Sequence, residues 1–388
     1  MFKVLLKTFA GLTAALLLTV NAYADCSGCT PECCPCDCPC SECPDECGCS
    51  FCDEECSPEG YNQGEVVCPN QMMAAYNAPA NIDVRCPWDV FVTASFIYWH
   101  ASEEGLEYAI SSTTAPGLPI TNGSVIDFDY SYKPGFQVGL GINLGCDGWD
   151  GYVEYTWLHF TRTDSATRPD TNGALNPTWL HPANNIADAI SATAKWKLRL
   201  DIINFELARS YYVGTHLTFR THFGLRVPLI DQDYNLGYVS EAAQDVIVHS
   251  RNSSDSWGIG PRAGINTNWL LGCGFRFFGN AAADVVYTRY KVTRRETDTN
   301  GDVVVDITNR DRLKVLRSHA EMELGLGWGT YFDCNNWHFD LAASYDFNYF
   351  WDQNSFRRFW DDAAVGKSST DRGDLFLHGL TIKARLDF

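Results

Sequence analysis

The chain ends Leu380-Thr381-Ile382-Lys383-Ala384-Arg385-Leu386-Asp387-Phe388, where apolar side chains alternate strictly with polar ones. A period of two belongs to a β-strand, whose successive side chains point to opposite faces. The same alternation recurs upstream. Phe136, Val138, Leu140, Ile142 and Leu144 alternate with Gln137, Gly139, Gly141 and Asn143. Leu217, Phe219, Phe223, Leu225 and Val227 alternate with Thr218, Arg220, His222, Gly224 and Arg226. Leu316, Ala320, Met322, Leu324, Leu326 and Trp328 alternate with Arg317, His319, Glu321, Glu323, Gly325 and Gly327. Trp337, Phe339, Leu341 and Tyr345 alternate with His338, Asp340, Ser344 and Asp346.

In a soluble sandwich the apolar face would be the core. In a transmembrane barrel it meets lipid, and the polar face lines the lumen. Three features favour the barrel. A last strand ending in Phe388 resembles the signal by which bacterial barrels are recognised for insertion. Aromatics gather at segment ends, at Trp149, Tyr152 and Trp157, at Trp257 and Trp269, and at Trp328, Tyr331 and Trp337, as interfacial girdles do. Connections alternate between short and long. The pattern predicts strands at 89–100, 126–144, 151–162, 194–209, 215–228, 256–269, 275–291, 312–329, 336–348 and 374–388. Short turns fall at Gly145 to Gly148, Ser210 to Gly214, Leu271 to Gly274 and Asp333 to Asn336. Long connections fall at 101–125, 163–193, 229–255, 292–311 and 349–373. The expected fold is therefore all-β, a transmembrane antiparallel β-barrel of about 10 strands within a range of 8–16, over residues 88–388.

Composition agrees. The 388 residues are 45% hydrophobic and carry 48 Asp+Glu against 29 Lys+Arg, a formal charge of −19. That is too apolar for a disordered chain and too acidic for a nucleic-acid partner. After the first two dozen residues no apolar run is long enough for a membrane helix. Those first residues read as a signal peptide, 1–24. Lys3 and Lys7 precede an apolar run from Phe9 to Val20, and Ala22-Tyr23-Ala24 supplies small residues before the cleavage point.

Residues 25–87 form an acidic cysteine-rich segment with Cys26, Cys29, Cys33, Cys34, Cys36, Cys38, Cys40, Cys43, Cys47, Cys49, Cys52 and Cys56, followed by Cys68 and Cys86. It has too few aliphatic residues to bury a core of its own. An exported chain meets an oxidising compartment, so disulfide cross-linking is the leading expectation, and no metal site is assigned. C-x-C spacings such as Cys34-Pro-Cys36 also suit soft metals, and a reduced tail is the third reading. Seventeen cysteines is an odd number, so one is left over if the others pair. The remaining three, Cys146, Cys273 and Cys334, fall in three different short turns. They would share the periplasmic rim with the cysteine-rich arm, leaving the long loops at the cell surface.

Phe91-Val92-Thr93-Ala94-Ser95-Phe96-Ile97-Tyr98-Trp99, Lys133-Pro134-Gly135-Phe136-Gln137-Val138-Gly139-Leu140-Gly141 and Gly151-Tyr152-Val153-Glu154-Tyr155-Thr156-Trp157 resemble the major outer membrane proteins of chlamydia-like bacteria and the related Legionella-type pore-forming family. The resemblance covers roughly 88–388. It implies a pore-forming protein in a disulfide-stabilised outer membrane. The long arm of clustered cysteines departs from that pattern and looks more like small cysteine-rich envelope proteins.

Enzymatic signatures are absent from the sequence: there is no G-x-S-x-G, H-E-x-x-H, P-loop or EF-hand pattern. His222 or His319 beside a lumen carboxylate would make a dyad, but no nucleophile stands at a recognisable spacing. Asp298, Asn300 and Asp302 around Gly301 lack the distal Glu of a calcium loop. No cofactor is expected. The inward charges read as Lys195, Lys197, Arg199 and Asp201, with Arg220, His222 and Arg226, then Arg317, His319, Glu321 and Glu323, then Lys383 and Arg385. The phase of alternation changes at Ile202-Ile203, which marks either a bulge or a misjudged register. Such charges would either bias permeating ions or pair across a narrow lumen and close it. The expectation is a porin for ions and small hydrophilic solutes that also stabilises the envelope through disulfides, the alternative being a cross-linked, surface-exposed structural protein with a closed barrel. Partners expected are outer-membrane lipid, further copies of the chain and other cysteine-rich envelope proteins.

Overall fold

The computed structural model describes residues 78–84, 89–113, 122–144, 148–169, 173–181, 188–240, 247–297, 302–308, 313–333, 335–359, 368–370 and 372–388, all within a compact unit spanning Val66–Phe388. Residues 1–24, read above as a signal peptide, the cysteines from Cys26 to Cys86, Cys146, Cys334 and the Asp298–Gly301 stretch lie outside the described residues.

Among the described residues sixteen strands run in chain order: β1 (Val90–Glu103), β2 (Ala109–Ser112), β3 (Ser124–Ile126), β4 (Tyr132–Leu144), β5 (Trp149–Thr167), β6 (Ala174–Pro177), β7 (Ala189–Tyr212), β8 (Leu217–Ser240), β9 (Ile247–Gly272), β10 (Phe275–Thr297), β11 (Val303–Thr308), β12 (Leu313–Phe332), β13 (Trp337–Phe350), β14 (Arg357–Phe359), β15 (Ser368–Thr370) and β16 (Leu375–Asp387). Ten of them close an antiparallel barrel in the order β1-β4-β5-β7-β8-β9-β10-β12-β13-β16, with β16 pairing back onto β1. The seam runs from Phe91 opposite Asp387 to Glu103 opposite Leu375. At its foot, Val90 and Phe388 exchange backbone hydrogen bonds of 3.0 and 3.3 Å. Each of the ten overlaps a strand that the alternation predicts, although the second begins at Tyr132 and not at residue 126, which belongs to β3.

Closure follows from what lipid demands: every backbone polar group must be paired internally. On β8 the outward side chains from Leu217 to Leu229 are apolar except Thr221. At about 3.3 Å per residue they cover about 40 Å of strand. With a tilt near 40° that projects to about 30 Å, the thickness of a hydrocarbon core. The girdle tryptophans Trp149, Trp157, Trp257, Trp269, Trp328 and Trp337 share this outer face. Tyr152 and Tyr331 turn into the lumen instead.

The barrel wall is uneven in height. β7, β8, β9 and β10 are 24, 24, 26 and 23 residues long, whereas β1, β4, β13 and β16 are 14, 13, 14 and 13. The expected long loop at 229–255 is therefore mostly strand, since β8 continues to Ser240 and β9 begins at Ile247. Beyond the lipid both sides of the sheet can pair without an apolar exterior, which removes the alternation that marks a strand in sequence.

No bulge occurs at Ile202-Ile203. β7 pairs in unbroken register with β5 and β8 on both sides of this point. Its even-numbered residues Ala194, Trp196, Leu198, Leu200 and Ile202 are buried toward the inside.

Candidate functional site

The lumen has three levels: an apolar plug at the long-loop end, a chain of alternating charges across the middle, and a chamber at the short-turn end. The plug forms where inward residues of the tall strands, Trp196, Leu198, Leu200, Tyr234, Leu236 and Tyr238, meet side chains of inward-folded loops. Those loops contribute Leu106, Tyr108, Phe128, Leu175, Trp179 and Phe356. β3, β2 and β6 make a small three-stranded sheet within this plug. Polar side chains stitch it to the wall. Tyr234 and Tyr238 donate from Oη to the Leu106 and Tyr108 carbonyls, both at 2.6 Å. Arg358 donates to the Gly105 carbonyl at 2.8 Å, and its guanidinium lies 4.4 Å from the Trp179 ring centroid. Burial pushes the Tyr108 phenol up to about 12 and, in the loop before β4, raises the Asp127 carboxyl above its usual range.

Below the plug, ion pairs cross the lumen in one continuous chain. Arg220 on β8 donates to Asp150 on β5 at 2.6 Å and to Glu206 on β7 at 3.0 Å. Arg262 on β9 joins Glu206 to Glu321 on β12. Arg226 on β8 links Glu321 to Asp284 on β10, the latter at 2.8 Å, and donates to Asn204 at 2.8 Å. His319 closes the chain on Asp284, Nδ1 to Oδ2 2.8 Å. Charges of opposite sign alternate along it, so each guanidinium desolvated by the wall has carboxylates on either side. His222 lies beside the chain. Neither of its ring nitrogens has a hydrogen-bond partner among the described residues, and Glu206 stands 3.7 Å from Nε2.

Beneath the chain lies a cavity of about 1330 Å³, lined by Asp150, Glu206, Arg220, Arg226, Arg262 and Glu321 of the chain and by Trp99 and Ile202 of the plug. Residues 79–84 line its other end. They are held there by a bridge from Pro79 to Tyr211 and by the Ala80 amide on the Ser210 carbonyl, 3.1 Å. Lys383 stands 3.6 Å from Glu154. Asn280 donates to Glu323 at 2.7 Å, and Thr381 donates to Asp346. Arg385 pairs with Asp387 at 2.5 Å and covers the Phe91 ring at 3.7 Å.

Of the residues expected to line the lumen, Arg220, His222, Arg226, Arg317, His319, Glu321, Glu323, Lys383 and Arg385 lie on its inner side. Arg317 sits on the plug side, bonded to Tyr290 and Asp352. Lys195, Lys197, Arg199 and Asp201 do not line it. They stand on the outer face of β7, where Arg199 pairs with Asp233 at 3.5 Å. The inside of that level is apolar plug and the outside is water, so the polarity of the two faces is exchanged. Asp150, Glu206, Arg262 and Asp284 were not anticipated, although each has the inward parity of its strand. Phe388 packs on Trp337, ring centroids 5.5 Å apart. Cys273, in the turn between β9 and β10, is disulfide-bonded.

A closed antiparallel barrel with an apolar belt, aromatic girdles and a polar lumen defines the class of outer-membrane β-barrel proteins. The family model described as Legionella pneumophila major outer membrane protein precursor matches residues 83–388. The chain belongs to that major outer membrane protein family and is an outer-membrane protein. No curated protein sequence matches it. Among solved structures it is similar to the outer membrane protease OmpT from Escherichia coli, with 8% identity, a TM-score of 0.37, and 80% of this chain and 99% of that one covered. It is also similar to a Pseudomonas aeruginosa FadL homologue, with 7% identity, a TM-score of 0.26 and coverage of 82% and 98%. The P. putida toluene transporter TodX gives 7% identity, a TM-score of 0.23 and coverage of 78% and 91%. Likenesses this faint carry no argument about function.

Proposed function

We propose that the protein is a porin for ions and small hydrophilic solutes that rests closed, with the apolar plug as its gate. The carrying observation is the charged chamber beneath the plug. Paired charges buried in a lumen stabilise a fold less than apolar side chains of the same volume, so a lumen built only to be filled would resemble the plug throughout. Below the plug this one instead holds a cavity lined with charges of both signs. The plug also holds an ionisable group at its base: the Glu103 carboxyl is buried beside Gln232. Such a group favours any movement that hydrates it.

In this reading the short turns and the cysteine-rich segment face the periplasm and the long loops face the cell exterior. The cysteines cross-link the protein to itself or to other cysteine-rich envelope proteins. No catalytic step is assigned, because the His319–Asp284 pair is enclosed by Arg226 and the Phe350 ring. The plug itself favours a second reading, a permanently closed barrel with a structural role in a disulfide-linked envelope.

Single-channel recording in planar bilayers separates the two. Wild-type protein should open rarely. Trp179→Ala removes a buried plug side chain stacked by Arg358 and should multiply the openings. If the heat-modifiable, folded Trp179→Ala variant stays silent, the barrel is closed and the structural reading stands.

A further inference from the structure

We propose that the outer face of β9, β10 and β12, just beyond the apolar belt, binds the phosphorylated headgroup of a membrane lipid in the leaflet on the long-loop side. On β10 the outward series Val285, Tyr287 ends the lipid-facing stretch and is followed by Arg289, Lys291, Thr293 and Arg295. Pairing register sets further cations beside them. Arg289 lies opposite Lys314 on β12, and Arg295 lies opposite Arg251 on β9. Directly opposed residues on one sheet face hold their Cβ atoms about 5 Å apart, and like charges so placed repel. Two such pairs stand here with Lys291 between them.

The acidic residues in the same patch are Asp255, opposite Lys291, and Asp306, opposite Arg295, so five cations face two carboxylates. Arg251, Lys291, Arg295 and Lys314 are exposed and make no ion pair among the described residues, whereas Arg289 stacks over Trp257 at 5.9 Å. Repelling pairs of guanidinium and ammonium groups are relieved by an anion that bridges them. A phosphate monoester accepts several charge-assisted hydrogen bonds from such a cluster.

The position selects a lipid as the source of that phosphate. The patch continues the lipid-facing surface without a gap, and Arg289 over a girdle tryptophan marks the depth of the headgroups. It is also local. β1, β4, β13 and β16 present no outward Lys or Arg among the described residues, and their rim at this end is aromatic, with Tyr98, His100, Tyr132, Tyr345 and His378.

The test uses the full chain in neutral detergent. It is incubated with a diphosphorylated lipid A-type glycolipid or the same glycolipid dephosphorylated, then re-isolated by size exclusion and assayed for bound lipid. Phosphorylated lipid should be retained and its dephosphorylated form lost. Retention should fall at least about tenfold in the Arg251→Gln, Arg289→Gln, Arg295→Gln, Lys314→Gln variant, since each surface cation contributes roughly fivefold. The Arg251→Lys, Arg295→Lys variant should retain it. Should the fourfold variant fail to fold, wild-type retention must still fall as salt is raised. Equal retention of both lipids, an unchanged fourfold variant, or complete displacement by inorganic phosphate merely equimolar with the lipid would each overturn the proposal. The last would mean a site for soluble anions.

Discussion

Replacing Arg226 with Met tests the chain of charges at its most enclosed point. The Arg226 side chain is 2% exposed and that of its partner Asp284 is fully buried. Breaking a buried pair by removing one member costs about 3–5 kcal/mol, because the other charge stays behind without compensation. Here the losses are unequal. Glu321 keeps Arg262, Asn204 loses a charge-assisted hydrogen bond, and Asp284 keeps only His319 at 2.8 Å. The cost should thus sit at the low end, about 3 kcal/mol. Adding Asp284→Asn removes the stranded charge while leaving an acceptor for the His319 N–H. The double variant should recover part of the loss, to within about 2 kcal/mol of wild type, since what remains lost is close to one hydrogen bond from a charged donor. Urea unfolding of vesicle-inserted protein, followed by tryptophan fluorescence, gives the three values. An Arg226→Met variant within about 1 kcal/mol of wild type, or a double variant no more stable than the single one, would refute the view that Arg226 is there to neutralise Asp284.

Other consequences can be checked more simply. Cysteine introduced at position 197 should react with a membrane-impermeant maleimide on the folded barrel, and cysteine at 196 should not, because Lys197 faces outward and Trp196 is buried in the plug. Gly274→Ala should destabilise the turn into β10 by about 1–3 kcal/mol in the same urea assay. The backbone there has φ +80, and an added Cβ would meet the Gly329 carbonyl oxygen at 2.1 Å. Gly141→Val should cost more, since its side chain would collide with the Phe91 ring that lies against Gly141 from across the seam-side strand pair. Phe388→Ala should lower the yield of heat-modifiable protein in the outer membrane, because it removes the ring that packs on Trp337 at the foot of the seam.

What the sequence made legible follows from where lipid is. Between Leu217 and Leu229, or Tyr345 and Trp337, every outward residue is constrained by hydrocarbon, and the period of two is plain. The turns declare themselves through Gly, Asn and Asp at positions such as Asn335, with φ +68, and Gly272, with φ +100. Once β7 leaves the membrane the constraint is lifted. The rule that charge means lumen then placed Lys195, Lys197 and Arg199 on the wrong face and required a phase change at Ile202-Ile203 that the backbone does not make. Parity carried through from Phe205 would have set them outside. It would also have drawn Glu206 into the lumen beside Arg220 and Arg226, as parity from Trp257 and Trp269 does for Arg262 on β9. The plug left no such trace. Leu106, Trp179 and Phe356 come from three different loops and meet only in space, so no local period marks them.

The uneven height of the wall has a consequence for the order in which the barrel assembles. β7 through β10 follow one another with connections of a few residues, so their pairings close short loops and cost little chain entropy. The seam is the opposite case: Trp99 donates to Thr381 across a separation of 282 residues, and such contacts form slowly. The longest ladders are thus the quickest to register, and the seam joins two of the shortest strands. A nascent barrel would carry its tall wall already zipped while the seam edges, β1 and β16, are still free to receive lipid or an assembly factor between them.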